Sequence, residues 1–349
     1  VKGKLASYLA VGFSLFGMTL PLAHANQINT GGATGAYHST FCPLLKIRMG
    51  AIGEAYQCTT SLGSSENLRR IAKNPKHFGY SQLDVFALES PRHGGSRAYQ
   101  IVRSDDAREC VFAVTRNKRL TNYGELAVYA DTLRFILPPK SSGSASTFEY
   151  LSSIDSKGLG RARTIVHAND TDEAIRQALA DDKAVTLFVQ FPDPENKRFK
   201  MIKRLGGHLV PVVDGPILDQ KINGQQIYFA QETDISQLRW LRLGRTVVTA
   251  CTPLVLFSGR TNRISGAEER SIHRETVRII RSMPTSDLIP QGSAIARIIR
   301  QTREVSARAR GHFLRVSRNA RERARPFAER MYRSARATIS LMIQKAQPQ

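Results

Sequence analysis

One tryptophan, four cysteines and 7% aromatic residues are all that this chain of 349 residues carries, and 29 Asp and Glu face 51 Lys and Arg. Each shortage excludes something. The cysteines show no CxxC or metal-ligand spacing, and neither His38 nor His208 has a second His or a carboxylate at a helical ligand spacing, so no metal is expected. No G-x-S-x-G elbow, no Walker loop and no paired acid/base spacing occurs, so the expectation is a protein without catalysis and without a cofactor. After Leu20 no apolar run is long enough to span a bilayer. No repeat period or heptad run is present, which removes solenoids and long coiled coils.

What is present begins with Lys2 and Lys4, an apolar stretch over residues 5–20, Pro21 and then Ala23-His24-Ala25. This is the layout of a signal peptide, with cleavage expected after Ala25 and export to the periplasm. Export changes the reading of the +22 net charge. Such an excess ordinarily suggests phosphate polymers, but outside the cytoplasm nucleic acid is not an expected partner. Anionic lipid, envelope polymers or an acidic protein face are the more natural counter-charges. An even number of cysteines in an oxidising compartment favours two disulfides, and three pairings are open.

From Gln27 to Leu256 short β-rich runs alternate with helical stretches, the pattern of an α/β protein with largely parallel sheets. Strands are expected near 28–30, 56–60, 77–81, 109–115, 134–137, 164–167, 184–190, 208–213, 226–229 and 246–257. Helices are expected at 65–73, 144–154 and 171–181, read from 3.6-residue spacing and caps. Composition then shifts: from Gly266 onward eighteen Lys/Arg against seven Asp/Glu leave +11, half the whole excess. Ser265 with Glu268 reads as a capping box for a helix whose buried face carries Ile272, Thr276, Ile279, Ile280 and Met283. Beyond Pro284 and Pro290, Ile295, Ile298, Ile299, Thr302, Val305, Ala309 and Phe313 read as one face of a basic helix. Pro326 breaks it, and a second weaker stripe completes a helical hairpin over residues 293–346.

Two loops carry the chemistry. Thr30-Gly31-Gly32-Ala33-Thr34-Gly35-Ala36-Tyr37-His38-Ser39 follows a strand and opens a helix, where backbone N–H groups and the helix dipole favour an anion by about 0.3–1 kcal/mol. The same device recurs from Lys140 through Ser142, Gly143, Ser144 and Ser146 to Thr147. Ser61, Gly63 and Ser64 after the second strand, and Ser81, Gln82 and Asp84 after the third, add polar loops at the carboxyl ends of strands, where open α/β sheets bind ligands. Asp84, Gln190 and Asp193 are the candidate rim contacts, although Pro192-Asp193-Pro194 reads equally well as a turn.

These residues resemble a known family. The run from Thr30 to Tyr37, Gly63-Ser64-Ser65-Glu66-Asn67-Leu68, Phe78-Gly79-Tyr80-Ser81-Gln82-Leu83-Asp84 and Ser142-Gly143-Ser144 look like those of type II periplasmic solute-binding proteins, most closely the TAXI type that serves tripartite (TRAP) membrane transporters. The resemblance covers residues 27–283. Pro138-Pro139-Lys140 departs from the family's glycine-rich approach, His38 stands where a second aromatic is common, and the arginine-rich C-terminal helices have no counterpart in it.

The resemblance implies a two-lobed α/β fold with a C-terminal basic helical extension. Residues 1–25 would be the signal peptide, 26–116 the first part of lobe I, 117–243 lobe II, 244–283 the return of lobe I and 284–349 the extension. It implies the pairings Cys42–Cys58 and Cys110–Cys251. It implies a small anionic, carboxylate-like solute held by Thr30, Gly32, Thr34, Gly35, Tyr37, Ser39, Ser64, Ser81 and Gln82 from lobe I. Lobe II would contribute Lys140, Ser142, Gly143, Ser144 and Ser146. The partners implied are that solute and membrane transporter subunits. The alternative is an envelope scaffold that has kept the fold and docks its basic extension on anionic lipid or an acidic envelope protein.

Overall fold

Two long strands run through both halves of the molecule and set its plan. The computed structural model describes residues 26–236, 245–289 and 291–346. The expected signal peptide, the 243/244 boundary and Pro290 lie outside the described residues. The first half comprises β1 (Asn26–Asn29), α1 (Cys42–Gly50), β2 (Tyr56–Thr59), α2 (Ser64–Lys73), β3 (Phe78–Gln82) and α3 (Leu83–Glu89). The first long strand, β4 (Tyr99–Thr115), leads to the second half: α4 (Tyr123–Val128), β5 (Arg134–Leu137), α5 (Gly143–Ile154), β6 (Thr164–His167), α6 (Thr171–Ala178), β7 (Ala184–Gln190), α7 (Lys197–Arg204), β8 (His208–Val210) and α8 (Gly215–Leu218). A short hairpin of β9 (Lys221–Ile222) and β10 (Gln225–Gln226), then β11 (Phe229–Ser236), lead to the second long strand, β12 (Arg245–Gly259). α9 (Ala267–Ser282), α10 (Ala294–Gln301), β13 (Arg303–Glu304) and α11 (Ala307–Ala346) follow.

The main sheet runs β2-β1-β3-β12-β4-β7-β5-β6. β1, β2 and β3 are mutually parallel, as are β5, β6 and β7, while β4 and β12 are antiparallel to each other and to the strands they join. One end of β12 pairs β3 and one end of β4 pairs β7. This is the two-lobed α/β plan: two parallel units joined by a crossing pair. Cys110 and Cys251 face each other on that pair and are bonded, and Cys42 on α1 is bonded to Cys58 on β2.

The length of β4 differs from expectation. Residues 103–108, Arg-Ser-Asp-Asp-Ala-Arg, give no strand signal, yet they lie within the ladder, where Arg103 binds Asp105 and the carbonyls of Ile280 and Met283 and Arg108 pairs with Glu304. β11 likewise extends well past the expected 226–229, since its polar Gln231 and Thr233 alternate inward against β12.

The C-terminal quarter corrects three readings. The capping box is absent: α9 starts after Gly266, which takes φ +85°, a left-handed conformation suited to glycine, and no side chain caps it. Its buried face carries His273, Thr276, Val277 and Ile280, whereas Ile272 is exposed, a rotation of the stripe by one residue. The hairpin of two helices is instead α10, a two-residue strand and one long α11 with Pro326 inside it. Phe313 therefore belongs to α11 and not to the face of α10.

α10 buries Ile295, Ala296 and Ile298 in the lobe I cluster with Cys42, Leu45 and Met49. β13 pairs β11 through Glu304 opposite Gln231 and Arg303 opposite Glu232. α11 then lies on α4, where backbone meets backbone: a methyl group at Gly124 would overlap the Ser317 carbonyl. The extension thus touches both lobes.

Candidate functional site

Residues from four loops converge where the lobes meet. The 31–35 loop is closed by Gly35 N donating to Gly32 O at 2.8 Å and is held beside the next loop by Ser61 N donating to Gly31 O. The chain then enters a π-helical turn, Tyr37–Phe41, before α1. Gly63, at φ +133°, precedes α2, and a Cβ there would sit 3.2 Å from Ser141 O of the other lobe. Gln82 ends β3 and presses its Oε1 against Gly143, the first residue of α5, so that a side chain at that glycine would have to displace the Gln82 amide. The beginnings of α2 and α5 therefore face one seam.

Direct hydrogen bonds cross it. Ser65 Oγ and Ser146 Oγ are 3.0 Å apart, and Thr147 Oγ1 donates to Asp84 Oδ2 at 2.6 Å. The same Asp84 oxygen accepts from Tyr228 Oη at 2.7 Å, and Asp84 Oδ1 from Val85 N at 2.9 Å. At the mouth, Tyr37 Oη donates to Glu109 Oε2 at 2.5 Å, with Gln82 beside them. Gln82 is 5% exposed, and its Oε1 has no hydrogen-bond partner. Glu109 and Tyr37 keep part of their surface in reach of solvent.

Electrostatics at the seam oppose the charge expected there. Burial lifts the Asp84 carboxyl above its usual range in spite of the bonds from Thr147 and Tyr228. Burial, with a contribution from Asp84, pushes Glu109 up to about 7, against the pull of Tyr37 and Gln82. The Tyr37 phenol, buried and beside Glu109, is raised well above its ordinary value and so stays a donor. Among the described residues no cation pairs with Asp84 or Glu109, and Lys140 stands exposed. The lining is acidic, and the anionic solute expected from the glycine-serine loops lacks its counter-charge.

Most of the expected hydroxyls have structural duties. Thr30 Oγ1 donates to Thr59 O at 3.0 Å and lies 3.0 Å from His38 Nδ1. Ser142 Oγ caps α5 by accepting from Ala145 N, Ser144 Oγ accepts from Val189 N at 2.9 Å, and Ser81 Oγ donates to Gln82 O. Ser39 Oγ donates to Gly35 O on an exposed surface; Gly32, Thr34 and Gly35 are exposed too, while Ser64 is buried at the start of α2. Gly143, Ser146, Gln82 and Tyr37 are the expected residues gathered at the seam. Gln190 is buried behind it, bound to Arg198, and Asp193 closes a turn by accepting from Glu195 N.

Glu109 and Tyr228 were not singled out from sequence, and Ser65 and Thr147 stood in the quoted motifs without being assigned to the solute. A lone acid beside Cys110, in the otherwise apolar second half of β4, was the one available signal. Among the described residues no group of three or more His, Cys, Asp or Glu is placed to hold a metal, and no helix is long and apolar enough to cross a membrane.

No family model matches this chain, and no curated protein matches it. Among solved structures it is similar to a periplasmic transporter at 10% identity over 88% of this chain and 97% of that one, with a TM-score of 0.42. It is also similar to the GluR0 ligand-binding core in complex with L-glutamate, at 8% identity, 80% and 98% coverage and a TM-score of 0.43. An ABC-type phosphate transport receptor from Vibrio cholerae is similar at 9% identity, 73% and 93% coverage and a TM-score of 0.40. Likeness at this level names no ligand or partner. The two-lobed plan rests on the strand order and the crossing pair.

Proposed function

We propose that the protein is a periplasmic receptor that holds a small polar solute between its lobes and presents the closed form to subunits of a membrane transporter, with TAXI-type service to a tripartite transporter as the finer reading. The observation that supports it is the meeting of the α2 and α5 beginnings at one seam, with Gln82 against Gly143 and Ser65 against Ser146. Chemistry of bond making or breaking forms no part of the proposal. A carboxylate-like anion fits only when Asp84 and Glu109 are protonated, so its binding would strengthen as pH falls below about 7.

The test is thermal unfolding against a library of small polar solutes. A solute at a hundredfold excess over Kd should stabilise the protein by about 2.7 kcal/mol. Ser146→Arg, which fills the seam, should abolish the response. A library that never shifts Tm, or a response untouched by Ser146→Arg, removes the receptor reading.

A second reading, the non-transport envelope scaffold, is favoured by one observation: α10, β13 and α11 touch both lobes, so that parting them strains the β11–β13 pairing. Under this reading the protein binds anionic vesicles or an acidic envelope protein and answers to no solute.

A further inference from the structure

One buried acceptor at the seam, Gln82 Oε1, lacks a donor. Glu109 is a half-buried residue that accepts from Tyr37, Asp84 is buried and bonded to Thr147 and Tyr228, and the buried Gln82 adds an Oε1 with no partner. The Gln82 carbonyl oxygen is the atom nearest to where a Cβ at Gly143 would stand, so it faces the other lobe across the seam. A buried acceptor without a partner forfeits the hydrogen bonds it had in water. A ligand that restores them must bring N–H or O–H donors, and beside two carboxylates without a cation it gains further if positively charged.

The titratable groups around Glu109 are Tyr37 from the first helical turn and Asp84 from α3, with Tyr228 and Tyr150 beyond Asp84. Among the described residues no Lys or Arg forms an ion pair with either carboxylate. In a chain of net charge +22 this is a local inversion of sign.

We infer that the seam recognises an ammonium group: the solute is an amine, its N–H donors met by Gln82 Oε1 and the Glu109 carboxylate. This rests on the receptor reading and names its substrate class. Since an amine needs Glu109 ionised, apparent affinity scales with the ionised fraction and should be about tenfold weaker near pH 6 than near pH 8.

The experiment is calorimetric titration and thermal unfolding of the full chain with putrescine and ethanolamine as amine probes and succinate and phosphate as acid probes, for the wild type, Glu109→Gln and Gln82→Met. The expected result is binding of an amine near pH 8, about tenfold weaker near pH 6. Glu109→Gln should weaken it at least tenfold and remove the pH dependence, with a smaller loss in Gln82→Met. If acids bind and amines do not, the receptor stands and the amine assignment is overturned. Amines that bind equally well to Glu109→Gln overturn it too. Where no probe of either class binds, the receptor reading and the amine assignment both fail.

Discussion

Glu109 ties the state of the seam to solvent pH. Its folded pKa is about 7 because burial disfavours the anion, so between the ordinary carboxylate value and 7 the folded protein keeps a proton that the unfolded chain has released. Stability from this group is therefore complete on the acid side and is lost as pH rises through 7, at about 1.4 kcal/mol for each unit of the lift. Asp84, raised by the same cause, acts in the same direction. Thermal unfolding from about pH 5 to 8 should show wild-type Tm falling more steeply than that of Glu109→Gln; parallel curves would place the proton elsewhere. At this scale the sequence was half legible. Gln82, Gly143 and Ser146 were readable because glycine, serine and amide punctuation is local. Glu109 and Tyr228 were not, because Tyr37 and Asp84, the groups that give them meaning, stand 72 and 144 residues away.

Elements behave according to what fastens them. On the chain-entropy argument the Cys110–Cys251 bond, closing 141 residues, should contribute about 5 kcal/mol and Cys42–Cys58, closing 16, about 3. Denaturant midpoints of the two double-alanine variants should keep that order. α11 is held by Arg321, which reaches into lobe II to bind both Asp155 and Asp214. Arg321→Ala leaves two buried carboxylates without their cation and should cost about 3–5 kcal/mol, whereas exposed Arg318→Ala should stay within about 0.5. Gly124→Ala should release the helix by a different route, since its methyl meets the Ser317 backbone; earlier proteolysis of α11 at native temperature is the readout. Short parallel strands were legible from their β-rich runs. The charged part of β4 and the unbroken course of α11 were not, because ion pairs hide charged residues inside a strand and packing carries a helix past Pro326.

Across the whole molecule, charge is sorted by place. The seam is acidic while the final quarter carries +11 of the +22. Arg308, Arg315, Arg318, Arg323, Arg325 and Arg330 are exposed along α11, with half-exposed Phe327 beside them. One side of the helix is spent on α4, Asp155 and Asp214; the other has no acidic surface against it among the described ion pairs. A basic surface of this kind suits an anionic bilayer, where each Arg near the surface contributes about 1 kcal/mol. Vesicles rich in phosphatidylglycerol should bind the protein at low salt and release it at about 1 M, where the screening length falls to about 3 Å. Replacing the six arginines with glutamine should abolish binding without altering the response of the seam to solutes, because the two charge regions lie on different elements. Binding that survives both high salt and the six substitutions would show that the arginines only solvate the helix. A solute response lost along with vesicle binding would instead show that the extension governs the lobes it touches.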